Sequence, residues 1–267
     1  MKWIVWVAGV AMLIPTAVGA APACEARSGA GTTALLELYT SEGCSSCPPA
    51  DRWFSSYASQ AGADGPNLLA FHVDYWDQIG WPDRFARAAY SKRQGDRVRA
   101  GGSSTVYTPQ LMLSSRRSLR WNQPAQVASV VKQLYETPAV ASLRLQAQRQ
   151  SSGWLVSVEG NLATASRQPT QMYLALYENG LSSDVRAGEN AGTTLHHDRV
   201  VRGFWGPWPV TRAATLQRLQ ISLPRDARAA QTGFVAFIEN EASGETLQSL
   251  ALPLARCASV EAITRDP

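Results

Sequence analysis

Residues 34–51 read Ala34-Leu35-Leu36-Glu37-Leu38-Tyr39-Thr40-Ser41-Glu42-Gly43-Cys44-Ser45-Ser46-Cys47-Pro48-Pro49-Ala50-Asp51. The nearly unbroken apolar run 34–40 has the length and texture of a short buried strand. Ser41-Glu42-Gly43 is a bend. A helix is expected from about Pro49 to Gln60. Proline is tolerated at the first helical position, and Asp51 then falls in the first turn, where a negative charge is favoured. Two cysteines separated by two residues, placed where a strand gives way to a helix, suit thiol chemistry. The thiolate is the reactive form, a free thiol has a pKa of about 8.5, and a helix N-terminus lowers it. Cys44 therefore reads as the nucleophile and Cys47 as the thiol that resolves a mixed disulfide. The two prolines that follow qualify this. A proline removes an N–H, and the residue before it avoids the helical region. The helix is therefore expected to start after Cys47, which leaves a Cys44 thiolate with less support.

Working outward, 61–67 is a Gly/Pro loop and Leu68–Tyr75 a second strand. His72, Asp74 and Trp76 then fall at alternate positions, on one face if the strand continues. His72 or Asp74 could carry a proton near the sulfurs; the blander reading is a structural histidine beside packed aromatics. Asp83–Val98 reads as a polar helix whose Arg84, Arg87, Lys92 and Arg93, with Arg97 and Arg99, form a solvated face. Val106–Ser114 is a third strand carrying Pro109, Ser118–Trp121 its hairpin partner, and Pro124–Glu136 a closing helix with Val127, Val130, Val131 and Leu134 on one stripe. Strands and helices in this order make an α/β domain over residues 32–137. After Thr137-Pro138 the texture changes. Short strand-like runs centre on Ser142–Gln146, Trp154–Glu159, Gln171–Glu178, Thr194–Val201, Leu216–Leu223, Gly233–Glu239 and Thr246–Leu252. This spacing predicts an all-β, immunoglobulin-like sandwich over residues 138–257. His196 and His197 point to opposite faces if their run is a strand, so a shared metal is not expected.

The N-terminus bears on the compartment. Lys2 is the one charge in the first 20 residues, followed by the 12 apolar residues Trp3–Ile14, then Pro15 and Val18-Gly19-Ala20. That is the pattern of a secretory signal peptide over residues 1–20. The apolar run is shorter than the roughly 20 residues a membrane span needs. The mature chain is thus expected to be periplasmic or secreted, without a membrane span and in an oxidising space. Hydrophobic residues make up 45 % of the 267 and charged residues 17 %, which excludes a disordered chain. The formal charge is +4, without a run of five or six Lys/Arg, so a nucleic-acid partner is not expected.

The four cysteines, Cys24, Cys44, Cys47 and Cys257, allow three pairings. A Cys24–Cys257 structural disulfide would tie the ends of the mature chain together. No second C-x-x-C accompanies Cys44 and Cys47, which disfavours a structural zinc site. No cofactor is required. Copper or another soft ion on Cys44, Cys47 and His72 is the alternative. A third reading is a binding module in which Cys44–Cys47 is permanently closed.

Pro109, in Val106-Tyr107-Thr108-Pro109-Gln110-Leu111-Met112-Leu113, opens a strand in the middle of an α/β domain, an unusual place for proline. Here the chain resembles thioredoxin-fold proteins, in which a cis-proline begins a sheet strand and lies beside the C-x-x-C. The resemblance implies that Thr108–Pro109 is that cis bond and that Thr108 and Pro109 dock the substrate strand. It is closer still to the DUF1223 family, secreted proteins of the thioredoxin-like superfamily. Leu36 to Asp51 carry that resemblance, with Phe71-His72-Val73-Asp74-Tyr75-Trp76-Asp77, Gly80-Trp81, Arg93-Gln94 and Tyr107-Thr108-Pro109-Gln110. That resemblance implies the thioredoxin-like fold and export, and supplies no substrate. The C-x-x-C beside the expected cis-proline is what points to thiol–disulfide exchange, with a redox-active disulfide acting on thiol- or disulfide-containing proteins of the cell envelope. Thioredoxins carry Trp before the first cysteine and one Pro inside the motif; here Gly43 and Ser45-Ser46 stand there, which leaves the redox potential open. Glu42, His72, Asp74 and Trp76 are the candidate accessory residues.

Overall fold

The computed structural model describes residues 24–60, 65–114 and 117–257. The expected signal peptide lies outside them. The cysteine motif is positioned by four strands and three helices. β2 (Leu35–Thr40) leads into α1 (Cys47–Gln60), and β3 (Asn67–His72) lies parallel to β2. α2 (Ala88–Ala100) follows. β4 (Gln110–Leu113) runs antiparallel to β2, β5 (Arg117–Leu119) pairs with β4, and α3 (Pro124–Tyr135) closes the run. All six residues of β2 are buried, because both sheet faces are covered. Leu36, Leu38, Leu68 and Ala70 pack under Phe54 of α1 and Val127 and Val131 of α3. On the other face Leu35, Tyr39, Leu69 and Phe71 pack with Tyr90 and Val98 of α2. A strand covered on both sides reads as a continuous apolar run rather than an alternating one.

The remaining strands are β1 (Cys24–Arg27), β6 (Ala141–Gln150), β7 (Gly153–Leu162), β8 (Thr170–Glu178), β9 (Leu181–Asp184), β10 (Thr194–His197), β11 (Val200–Val210), β12 (Thr215–Ile221), β13 (Thr232–Asn240) and β14 (Thr246–Pro253). One four-stranded antiparallel sheet has the order β1-β6-β7-β12. It faces β8, β13 and β14 across a core of Leu143, Leu145, Val156 and Val158 against Leu174, Leu176, Phe234 and Ile238. The other sheet has eight strands, in the order β14-β13-β8-β11-β3-β2-β4-β5. β11 joins β3 in parallel at Val200 and Ala70, so one sheet runs through both halves of the chain. β9 and β10 form a separate hairpin. The protein is thus mostly β, with helices on the sheet that carries the cysteines. Among the described residues no helix is long and apolar enough to cross a membrane.

Several sequence expectations need correction. The second strand ends at His72 rather than Tyr75, so Asp74 and Trp76 lie in the turn beyond it and do not share its face. α2 starts at Ala88 rather than Asp83. Asp83 is instead a tertiary anchor: its carboxylate accepts Phe85 N–H and Glu42 N–H and pairs with His72. Arg93 and Arg97 are buried, unlike the other members of the expected solvated face, because carboxylates of β2 and β13 meet them. The third strand begins after Pro109, at Gln110. The run 194–201 divides into β10 and β11 at Arg199, whose φ is 60°. The strand β9 was not anticipated at all.

Candidate functional site

The cysteines sit at the carboxyl ends of the parallel strands β2 and β3, where a βα turn projects from the sheet. Cys44 and Cys47 are joined in a disulfide, with Cα atoms 5.4 Å apart. Cys24 and Cys257 form the second disulfide, so the expected pairing is present and no cysteine is free. It ties the first residue of β1 to the turn after β14. α1 starts at Cys47 itself rather than after it, and Cys44 lies outside the helix. Cys44 Sγ lies 3.3 Å from the Ser46 hydroxyl, and Cys47 N–H donates to Cys44 O. Both cysteines are 0 % exposed, while Ser45 and Ser46 between them face solvent.

The opposite wall is Trp76. A Cβ at Gly43 would stand 3.2 Å from Trp76 Cβ, so the glycine lets the tryptophan close on the motif. Trp76 Nε1 donates to Thr108 Oγ1 at 2.8 Å, and Thr108–Pro109 is a cis peptide. Gly43, Trp76 and Thr108 therefore form a continuous path from the disulfide to the 108–109 segment. Gly206–Pro207, which the sequence reading did not single out, is also cis.

Behind the disulfide lies a buried cluster of five ionisable groups. Glu42 comes from the bend before Cys44, Asp51 from one turn of α1 beyond Cys47, His72 from the end of β3, Asp83 from the following loop and His197 from β10. His72 Nδ1 is 2.6 Å from Asp83 Oδ2. His197 Nε2 is 3.2 Å from Glu42 Oε1, and its Nδ1 is 3.9 Å from Asp51 Oδ2. The two imidazoles meet edge to face at 5.0 Å, and Trp81 Nε1 donates to Glu42 Oε2. Burial raises the Asp51 pKa, despite the two histidines. Burial alone would lower that of His72, but Asp83, with Asp51 and Glu42, outweighs it and the pKa rises. Asp83 is held down at about 2: burial pushes it up, and His72 with the two backbone N–H donors more than offsets that. Glu42 is likewise lowered against the burial effect, first through His197.

The structure buries both Glu42 and His72 in this cluster. Asp74 is instead tied to the Ser91 hydroxyl. His196 and His197 do face opposite ways, His197 inward. His72 Nδ1 belongs to Asp83, and among the described residues no group of three or more His, Cys, Asp or Glu side chains is arranged to hold a metal ion. Sequence reading missed Asp51 as part of the cluster, Asp83, His197 and the β9–β10 hairpin. One signal was available: alternation in Thr194-Leu195-His196-His197 puts His197 on the same face as buried Leu195.

That hairpin caps the motif. Asn190 Nδ2 donates to Glu42 O at 2.8 Å and to Cys44 O at 3.0 Å. Glu189 Oε2 accepts Ser45 N–H at 3.0 Å. Gly188, at φ +74°, packs against Trp81. A cleft of about 410 Å³ lined by Arg27, Asn67, Arg199 and Arg256 lies elsewhere, at the opposite end of β2 and β3, away from this chemistry.

Residues 35–239 match the family described as "Protein of unknown function (DUF1223)". The chain belongs to that family. The match runs from β2 through β13, so it takes in the cysteine motif and the capping hairpin alike. Among solved structures the chain is similar to a crystal structure of a protein from Agrobacterium tumefaciens, with 22 % identity and a TM-score of 0.61, covering 84 % of this chain and 96 % of that one. It is also similar to HBP35 of Porphyromonas gingivalis, with 13 % identity and a TM-score of 0.64, covering 85 % of this chain and 77 % of that one. At these identities the likeness concerns the fold. No curated protein matches the chain.

Proposed function

We propose that this family member is an exported thiol–disulfide oxidoreductase. In this reading residues 32–137 are a thioredoxin-like domain, residues 138–257 an immunoglobulin-like β-sandwich, and residues 1–20 a signal peptide. The observation that carries the reading is the Cys44–Cys47 disulfide at the start of α1, linked through Gly43 and Trp76 to Thr108. In the exchange, the Cys44 thiolate attacks a partner disulfide and one partner sulfur leaves with the electron pair. Cys47, as thiolate, then attacks Cys44 Sγ, the Cys44–Cys47 bond closes, and the second partner sulfur leaves. Two electrons pass to the partner, and its two new thiols take the two protons given up by Cys44 and Cys47. The reverse sequence oxidises a dithiol. Main chain at Thr108 and Pro109 would dock the partner strand, with Trp76 beside it. Glu42 and His72, with Asp51, Asp83 and His197, form a buried set of groups that would exchange protons with the sulfurs. The partners are thiol- or disulfide-containing proteins of the cell envelope.

The test is equilibration of the purified protein in graded glutathione buffers, with thiols trapped by a mass tag and the two pairs separated by peptide mapping. A reversible transition of Cys44–Cys47, at a potential well above about −300 mV, is expected. A pair that stays oxidised throughout refutes the oxidoreductase reading and leaves a binding module with a permanent bond.

A further inference from the structure

The N-terminus of a helix stabilises an anion through its unpaired N–H groups and its dipole. At α1 those donors are scarce. Pro48 and Pro49 have none, and Cys47 N–H is used by Cys44 O. Ser45 N–H is one of the few left beside Cys44, and a carboxylate already holds it: Glu189 Oε2, at 3.0 Å, delivered by the β9–β10 hairpin. Asn190, the next residue, fixes the hairpin there by donating to the carbonyls of Glu42 and Cys44. A fixed negative charge thus stands at the end of the helix where a Cys44 thiolate would have to form.

From this geometry we infer that Glu189 is a tuning residue that lowers the redox potential of the Cys44–Cys47 pair by opposing the thiolate. The inference rests on the exchange reading above. The Glu189 pKa is itself lowered, first by its hydrogen bonds to Ser45, so the carboxylate is charged at neutral pH. Stabilising a thiolate favours the reduced form and makes a disulfide more oxidising; a carboxylate beside it does the reverse. The buried groups nearby are Glu42, Asp51, His72, Asp83 and His197. His72 faces Asp83, and His197 faces Glu42 and Asp51, whereas Glu189 faces solvent with Ser45 as its partner. The hairpin belongs to the C-terminal half of the chain, so the inference also gives that half a part in the redox chemistry.

The experiment compares wild type with Glu189→Gln, Glu189→Ala and Glu189→Asp. Each is equilibrated with glutathione, two molecules of which give up two electrons and two protons to become glutathione disulfide as the pair opens. The pKa of Cys44 in the reduced protein is read from the pH dependence of its alkylation rate. Glu189→Gln keeps an oxygen for Ser45 N–H and removes only the charge. It is expected to shift the equilibrium three- to tenfold toward the dithiol, a rise of about 15–30 mV, and to lower the Cys44 pKa. Glu189→Ala should shift the same way, and Glu189→Asp should stay near wild type. If Glu189→Gln matches wild type in both readouts, the tuning role is overturned while the exchange reading stands. If the pair opens in no variant, the exchange reading itself falls and the tuning falls with it.

Discussion

Asp51 and Asp83 bring the same chemical group into one buried cluster and acquire opposite preferences. Asp83 accepts from Glu42 N–H and Phe85 N–H and faces His72, so its charged form is favoured and its pKa sits at about 2, below the ordinary 3.8. Its stabilising effect is present above the ordinary value and lost as pH falls from about 4 through about 2. The His72 side of the pair acts below the ordinary histidine value and is lost as pH rises through the raised one. Asp51, raised by burial, works against the fold wherever it must ionise. Thermal unfolding at several pH values should separate them. Asp83→Asn is expected to lower Tm at pH 7 by about 5–10 °C, with the deficit closing between about pH 4 and pH 2. Asp51→Asn should hold or raise Tm at pH 7, and that advantage should vanish in acid. The opposite ordering would mean that the cluster is charged differently.

Among the elements, the β9–β10 hairpin matters most to the site. Cys44 and Cys47 are wholly buried, so a reagent reaches them only after a local opening. Asn190 holds two main-chain carbonyls of the motif. Asn190→Ala should speed reduction of Cys44–Cys47 by a small phosphine about tenfold, the equivalent of roughly 1.4 kcal/mol, within the range for buried hydrogen bonds. An unchanged rate would show that the hairpin does not govern access. The hairpin was also the least legible element. β9 is four residues, Leu181-Ser182-Ser183-Asp184, with one strongly apolar position, so nothing in its composition marks a strand. The helices and strands around the cysteines were legible because β2 and β3 are mostly apolar and α3 keeps its helical stripe. The start of α2 misled because Asp83 looks like a helix-starting acid, and its partners, Glu42 and His72, are distant in sequence.

Across the whole molecule, Arg93 links the two halves. Its guanidinium meets Glu37 of β2 at 2.5 Å and Glu239 of β13 at 3.1 Å, within 5.6 Å of the centroids of Phe71, Tyr173, Phe204 and Phe237. Arg97 adds a contact to Glu239 at 2.9 Å. Removing one partner of such a buried set leaves charge without compensation, at a cost of about 3–5 kcal/mol. Arg93→Met should lower the unfolding free energy in urea by about that amount. Arg93→Lys should rescue little of it, since the shorter, more strongly hydrated ammonium lacks the planar guanidinium that sits among these rings and carboxylates. A loss below about 1 kcal/mol would contradict this role.

The residues themselves were enough to put the helix start near Pro48-Pro49 rather than at Cys44, because two prolines act on the backbone next to them whatever surrounds them. They were also enough to mark β2 and β3 as covered strands, since burial on both faces favours a mostly apolar run over an alternating one. The change of texture at Thr137-Pro138 likewise showed in composition alone. Tertiary structure decided the rest. It joined both halves in one sheet through a pairing of Val200 with Ala70, buried Arg93 among rings from four strands, and placed His197, Glu189 and Asn190 against a motif about 150 residues earlier in the chain. Charged and polar side chains carry no periodic signal of their own. Whether an arginine or a glutamate is solvated or buried depends on what folds over it, and that partner is set by packing across the whole chain.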